Sequence, residues 1–364
     1  MSLAVPIPDS EVFSRAQTHS AQWFEVRRQD LAIWNEILLD SDASLYQYPF
    51  WNEPYRPLLV TPHYLAWGTQ DQPLAFVSIL TVGFGPLKIG LVFRGPTWIR
   101  PNRKNEELYA RKLIAWARSQ GYIFIRFTHS DPAVLDQLGT AGHAELFDAF
   151  PYFLDYPVQS PDYIVEQHKN DETTMASLDR EVRRKVRRAV ESGYEFHSSD
   201  SPEELQSVWP LYTDCARRKN FRLERPLPIY MEAVRLARKH NCVRIYSAQL
   251  EGKTVGSTLI FRDRTTAHCQ LAAFEAAHRR SAVALHWHAM RDMYRLGARR
   301  YNLGPGPGSL ARFKQQFCQQ PTGYPGPLTV VLNEPLFRIW QRALFPLARR
   351  LRPTLRALVS RLGN

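Results

Sequence analysis

Arg299-Arg300-Tyr301-Asn302-Leu303-Gly304-Pro305-Gly306-Pro307-Gly308-Ser309-Leu310-Ala311-Arg312-Phe313-Lys314-Gln315-Gln316-Phe317 is the stretch from which the rest of the chain can be read. Arg300 to Leu303 reads as a short strand, the alternating glycines and prolines as a turn that cannot be helical, and Ser309 as a helix cap. Gly304, Gly306 and Gly308 let backbone come close to a ligand, while Pro305 and Pro307 stiffen the loop, so little entropy is left to lose on binding. Phe313 and Phe317, four apart, face a core, which leaves Arg312 and Lys314 beside the turn. Charge and free amides together would draw an anion there. The same residues also suit a tight loop with a solvated lysine. The spacing is neither GxGxxG nor a P-loop.

Upstream, the strand closes a pattern that occurs twice. Val243 to Leu250 and Thr254 to Arg262 pair across Glu251-Gly252-Lys253, Thr266 to Phe274 follows, Ser281 to Leu296 is helical, and Gly297 ends that helix. The first copy runs Tyr64 to Gly68, Leu74 to Val82, Ile89 to Phe93, a helix from Asn105 to Gln120, and a strand from Tyr122 to Phe127. This is an internal duplication, and at 364 residues two domains meeting at a cleft are expected. The boundaries expected are 1–20 as a frayed start, 21–160 as the first domain, 161–332 as the second, and 333–364 as a tail.

Between the copies, Pro151 to Pro161 reads as strand and linker, and Thr173 to Ser192 as one long helix with Leu178, Val182, Val186 and Val190 inward. Six cations between Arg180 and Arg188 take its other faces. A helix from Pro202 to Lys219, capped by Ser201, ends in the cationic run of Arg217, Arg218, Lys219 and Arg222. Earlier, Phe50 and Trp51 lie in an aromatic, proline-rich segment that suits a core plug or, at Trp51, a ligand wall.

The net charge is +12, and seven Arg against one acid after residue 333 supply half of it. Such charge favours phosphate-bearing partners: nucleic acid, anionic lipid, or a pyrophosphate substrate. In the tail, Leu336, Trp340, Leu344, Leu347, Leu351, Leu355, Leu358 and Leu362 recur at intervals of three or four between arginines. That predicts an amphipathic helix on an anionic membrane surface, anchored by Trp340 and Phe345, or a helix docked on the protein's own core. No run reaches the ~18 apolar residues of a membrane span. Cys215, Cys242, Cys269 and Cys318 have no metal or redox spacing, and no secretory signal precedes them, so a cytoplasmic setting is expected, at the inner face of the membrane if the tail binds lipid. His278, His286 and His288 do not form a zinc spacing, and no metal is expected.

Gln47 with Trp51, Phe93-Arg94-Gly95-Pro96, the Arg-rich segment from Asp179 to Gly193, Arg217 to Phe221, and Tyr301-Asn302-Leu303-Gly304 followed by Phe313-Lys314-Gln315-Gln316-Phe317 resemble the Fem family. These are peptidoglycan-bridge aminoacyltransferases, together with wider Fem-like relatives. The resemblance runs in family order from about residue 22 to residue 332. It implies an α/β (α+β) chain of two tandem GNAT-like acyltransferase domains, each a mixed sheet flanked by helices, with the C-terminal amphipathic helix added. Asn302 departs from the family, which usually has Asp there, and there is no room for the long helical hairpin of some members. The implied activity is transfer of an aminoacyl or acyl group to an amine of a cell-envelope glycan or peptidoglycan precursor. The donor is aminoacyl-tRNA or acyl-CoA, and no tightly bound cofactor is expected. In ordinary GNAT enzymes the coenzyme pyrophosphate sits at a helix start; here that place reads Arg279-Arg280-Ser281-Ala282, without the first glycine.

No Ser-His-Asp or Cys-His arrangement is evident, so direct attack by the amine is expected. Lys314, with the Gly304 to Gly308 amides, is expected to offset negative charge, with Asn302 beside it and Glu275 or Asp292 as base. Arg217, Arg218 and Arg222 are expected to hold acceptor phosphates, with Tyr301, Arg312, Trp51 and Arg94 along the same wall. Two readings from other classes stand beside this one: a basic nucleic-acid-binding protein, and a non-catalytic membrane adaptor.

Overall fold

The computed structural model describes residues 22–69, 72–83, 85–100, 103–128, 130, 143–145, 161–221, 223, 225–306, 308–324, 327–347 and 350. Its strands are β1 (Gln22–Glu25), β2 (Val60–Gly68), β3 (Pro73–Val82), β4 (Lys88–Phe93), β5 (Thr97–Trp98), β6 (Tyr122–Thr128), β7 (His143–Glu145), β8 (Ile164–Glu166), β9 (Glu195–Ser199), β10 (Val243–Leu250), β11 (Lys253–Arg262), β12 (Thr266–Phe274), β13 (Arg300–Asn302) and β14 (Leu328–Val331). Its α-helices are α1 (Leu31–Leu39), α2 (Pro49–Asn52), α3 (Arg103–Ser119), α4 (Asp171–Ser177), α5 (Arg180–Glu191), α6 (Pro202–Arg218), α7 (Leu227–Ala237), α8 (Arg279–Arg295), α9 (Gly308–Gln315) and α10 (Glu334–Ile339).

Two mixed sheets result, ordered β1-β2-β3-β4-β6-β14-β7, with β5 paired to β3, and β8-β13-β12-β11-β10-β9. Each carries the same unit: an antiparallel hairpin, a third strand, a crossover helix, and a strand returning parallel to the third. The duplication is therefore real at the level of topology, and both sheets are flanked by helices as expected. The β6 run Tyr-Ile-Phe-Ile-Arg-Phe-Thr is buried at every position. It lies centrally in its sheet, with α3 residues Leu113 and Ala117 in the core on one face and Phe337 and Trp340 on Phe124 at the other.

The halves share one core. Trp34, Tyr48, Phe50, Trp51 and Phe76 of the first pack in a single cluster with Tyr212, Tyr230, Val243 and Phe261 of the second. The aromatic segment at 46–51 is thus the plug between them.

Three expectations are corrected. Leu328–Val331, assigned to the second domain, pairs antiparallel with β6 and β7 in the first sheet, so the chain returns to its first half after completing its second. The long helix is two helices. Asp179 accepts a bond from the Glu181 amide at 2.7 Å and caps α5, with Leu178 extended before it. Val190 is then 64% exposed and Ala189 takes the inward position. Finally, the start of the tail docks on the protein: Phe337 and Trp340 are buried and Phe345 packs on the Trp340 ring at 5.2 Å. The two residues read as membrane anchors face the first sheet because Phe124 and Leu91 offer an apolar surface there. The later leucines, 351 to 362, lie outside the described residues, as do the frayed start at 1–20 and nearly all of the 151–161 linker. No helix among the described residues is long and apolar enough to cross a membrane.

Candidate active site

The two parallel strand pairs behave differently. In the first half β4 and β6 stay paired from Lys88–Tyr122 to Phe93–Thr128. In the second, β12 and β13 pair only at Thr266–Arg300, Ala267–Tyr301 and His268–Asn302. Strand β12 then runs on to Phe274 against β11, while the other chain turns away at Gly304. A wedge opens at the carboxyl ends of two parallel strands, the usual place for a ligand in such sheets. Gly304, at φ +72°, makes the turn that a side chain would resist, and a Cβ there would stand 3.7 Å from the Cys269 carbonyl.

The turn is held from both sides. Its Gly304 amide donates to Asn302 Oδ1 at 2.7 Å, and Lys314 Nζ donates to the carbonyls of Gly304 at 3.1 Å and Pro305 at 2.7 Å. Lys314 is buried, because Phe313 on the same short helix and Phe317 in the turn just after it pack into the second core beside His286. Lys314 therefore braces the loop, and the Gly304 amide expected to meet a ligand is already used. Gly306 is half-exposed, Gly308 opens α9, and Arg312 is exposed on its outer face.

Asn302 reaches further. Its Nδ2 donates to Asp162 Oδ2 at 2.6 Å, and the same oxygen accepts from Tyr324 Oη at 3.2 Å and from Arg94 Nη2. A carboxylate just after the linker, Asp162, thus stands against Asn302. Burial pushes the Asp162 carboxyl up, but Arg94 and the Asn302 amide outweigh it and hold it below the usual carboxylate range. Arg94 spans the rings of Tyr46 and Tyr324 at 5.2 and 4.6 Å. Its placement follows from Gln47, which accepts the Ser78 amide, donates to the Phe93 carbonyl, and leaves no room for a side chain at Gly95. Arg94 thus ties the first half to the second at the lip of the wedge.

Beside this lies His268, the last β12 residue paired with β13. Its Nε2 donates to Asp263 Oδ2 at 2.8 Å, and its ring meets Tyr46 edge-on at 6.0 Å. Across the same interface, Arg225 is 4% exposed, with its guanidinium 3.8 Å from the Trp51 ring centroid and 4.2 Å from that of Tyr55. Its Nη1 has no hydrogen-bond partner. Trp51 therefore stacks on a buried cation as well as filling the core.

Other expected residues are placed elsewhere. Tyr301 is buried, and its hydroxyl pairs with His286 Nδ1 at 2.9 Å, inside the second core and away from the interface. Burial, aided by Lys314, holds the His286 pKa down at about 3. Glu275 is occupied by Lys253 at 2.7 Å and lies near His278, and Asp292 accepts from Tyr246 at 2.8 Å, so neither presents an unengaged carboxylate. Arg217 is exposed near Asp214, whereas Arg218 binds Asp214 and caps the Phe274 carbonyl at the end of β12. Arg222 lies outside the described residues. At the start of α8, Arg280 is exposed, while Ser281 and Ala282 are buried and Ser281 Oγ donates to the His278 carbonyl. Arg279 leads into the same first turn.

Sequence reasoning missed Asp162, His268, Asp263 and Arg225. A His at an inward position of a mostly apolar strand was a usable signal; a lone Asp just after a linker was not.

Residues 176–315 match the family model described as Acetyltransferase (GNAT) domain. FemX matches over 87% of this chain and 99% of its own, with a TM-score of 0.73 at 15% identity. The chain has the Fem-like tandem GNAT fold. Two further similar structures are L-PGS from Bacillus licheniformis, at TM-score 0.55, 14% identity and coverage of 85% and 93%, and the C-terminal domain (DUF2156) of a putative lysylphosphatidylglycerol synthetase from Agrobacterium fabrum. The latter aligns at TM-score 0.53 and 15% identity, over 86% of this chain and 96% of that one. No curated protein matches in sequence. Acyl transfer is the activity class of the matched domain, and the wedge lies within it.

Proposed function

We propose that this Fem-like chain is an N-acyltransferase that moves an aminoacyl or acyl group onto an amine of a phosphate-bearing cell-envelope glycan or peptidoglycan precursor. The observation that carries this reading is the parting of β12 and β13 at His268–Asn302, a parting that the first half lacks. An acyl donor laid in that wedge has its carbonyl beside the Gly304 turn, at the lip where the first half contributes Arg94. The amine attacks directly: a C–N bond forms, the bond from the acyl carbon to the donor's leaving group breaks, and the proton given up by the amine passes to that leaving group. No nucleophilic side chain is required. Cys269, the thiol nearest the turn, is pushed up by burial and stays protonated.

Arg225 supports the phosphate on the acceptor. A buried guanidinium facing aromatic rings, with one nitrogen unpartnered, recovers its desolvation cost when an anionic oxygen binds. The synthetase neighbours, named for lysylphosphatidylglycerol, favour an aminoacyl donor; the GNAT domain favours acyl-CoA.

The test is mass spectrometry of the full chain with charged tRNA or acetyl-CoA, offered with uridine-diphosphate amino sugars or lipid-linked precursors. One donor is expected to acylate one acceptor at its amine, and Arg225→Ala to raise the acceptor KM by about tenfold or more, the value of a charged hydrogen bond. If no pairing gives product and no phosphate-bearing precursor raises the melting temperature, the reading fails. Steeply salt-dependent RNA binding without transfer would put nucleic-acid binding in its place.

A further inference from the structure

The segment that returns from the second half to the first has two unlike sides. From Glu334 it runs as one helical stretch: α10, then a wider π turn over Trp340–Leu344, then helix again to Leu347. On the inner side Phe337 and Trp340 are buried, and Leu336, Leu344 and Phe345 pack around them in a cluster with Val60, Leu91 and Phe124. On the outer side Ile339 is 52% exposed and Leu347 53%, with Ala343 and Pro346 exposed between them. Every other exposed position among the described residues from 338 to 350 is an arginine: Arg338, Arg342 and Arg350. No acid and no neutral polar side chain shares that face.

The stripe is continuous because of the π turn. Eight positions along an α-helix leave two side chains about 80° out of line. The π turn between Ile339 and Leu347 winds less per residue and takes back most of that angle. Helix α3, on the opposite face of the same sheet, shows the ordinary outer pattern instead. Its exposed charges are of both signs, Glu107 with Arg111, Lys112 and Arg118, and among its described residues no Leu or Ile is exposed.

A face with aliphatic side chains along its middle and only arginines beside them fits a partner that is apolar within and anionic at its edge. Arg338 reaches Glu334 at 3.0 Å, whereas among the described residues Arg342 and Arg350 form no ion pair. A second copy of the chain laid on the same face would set arginine against arginine. The headgroup layer of an anionic bilayer meets both requirements.

We propose that this outer face lies on an anionic lipid surface, with Ile339, Ala343 and Leu347 entering the headgroup layer and Arg342 and Arg350 on lipid phosphates. The helix stays docked, held by the first sheet on one side and lipid on the other. It is not a detached anchor, in which Trp340 itself would enter lipid. Lipid binding here needs no acyl transfer, so it stands or falls apart from the transferase reading.

The experiment is flotation of the full chain with vesicles of phosphatidylcholine alone and of phosphatidylcholine mixed with phosphatidylglycerol. The chain is expected to float with the mixed vesicles and not with phosphatidylcholine alone, and added salt is expected to release it. Ile339→Glu with Leu347→Glu, and separately Arg342→Glu with Arg350→Glu, are each expected to weaken binding by about tenfold or more with the melting temperature kept. Val190→Glu, at a position 64% exposed on α5, is the control and is expected to float like the unaltered chain. Flotation with neither vesicle, equal flotation with both, unchanged flotation of the Ile339/Leu347 variant, or an equal loss from Val190→Glu would overturn the lipid face. The comparison of the two vesicles uses the unaltered chain, so a poorly folded variant does not leave the matter open. A dimer in solution that this variant splits, with no flotation, would put a second copy there instead.

Discussion

At the scale of residues, the site depends on groups that hold other groups. Lys314 covers two carbonyls of the turn, so Lys314→Ala removes a charge and takes that donor from both acceptors. The expected outcome is a rate loss on the order of 10²-fold or more, with a stability loss of about 1–3 kcal/mol read from urea unfolding. A variant with normal turnover and lowered stability would make Lys314 a brace alone. His286 gives a pH prediction. Its folded pKa is held at about 3 while an unfolded histidine titrates near 6.5, so between those values the unfolded chain binds the extra proton. Stability from this group is complete above pH ~6.5 and falls as pH drops toward 3, by up to about 1.4 kcal/mol per pH unit. His286→Gln, which can still bond Tyr301, is expected to flatten that slope in urea midpoints measured from pH 7 to 4.

At the scale of elements, what the sequence disclosed follows from how local each cause is. Strands β10 and β12 are found at the limits expected, because apolar alternation between tight turns is written within the element itself. The break between α4 and α5 was missed because the four-residue apolar spacing continues through it, while two side-chain caps, Asn170 and Asp179, decide the matter. The site divides in the same way. The Gly/Pro turn and the place of Asn302 were legible, since glycine and proline act on their own backbone. Asp162 and Arg225 were not, because each gains its meaning from a distant partner, Asn302 for the first, 140 positions away, and Trp51 for the second, 174 positions away. Gly95 illustrates how one element positions another. A methyl group there would lie 2.5 Å from the Gln47 amide, a fully buried group bonded to Ser78 and Phe93. Gly95→Ala is expected to cost about 1–3 kcal/mol by overpacking, and to lower transfer further by releasing Arg94 from Asp162; thermal unfolding alongside turnover separates the two effects.

At the scale of the whole molecule, the chain is strapped. After the second sheet is complete it returns to place β14 between β6 and β7, then lays Phe337 and Trp340 over Phe124. The first half therefore lacks the strand that covers β6 and one face of its core until residue 345 has been made. A chain ending at residue 160 leaves β6 as an open edge beside Ile123 and Phe124, both fully buried in the complete protein. That fragment is expected to aggregate or to show no cooperative unfolding. Joining residues 327–347 to it through a flexible linker is expected to restore a cooperative transition. In the full chain, Trp340→Ala is expected to cost about 3–5 kcal/mol, the scale of an emptied aromatic site. A membrane-anchoring tail predicts the opposite of all three results: a stable 1–160 fragment, no gain from the added segment, and a Trp340 substitution that alters lipid binding while leaving the melting temperature in place.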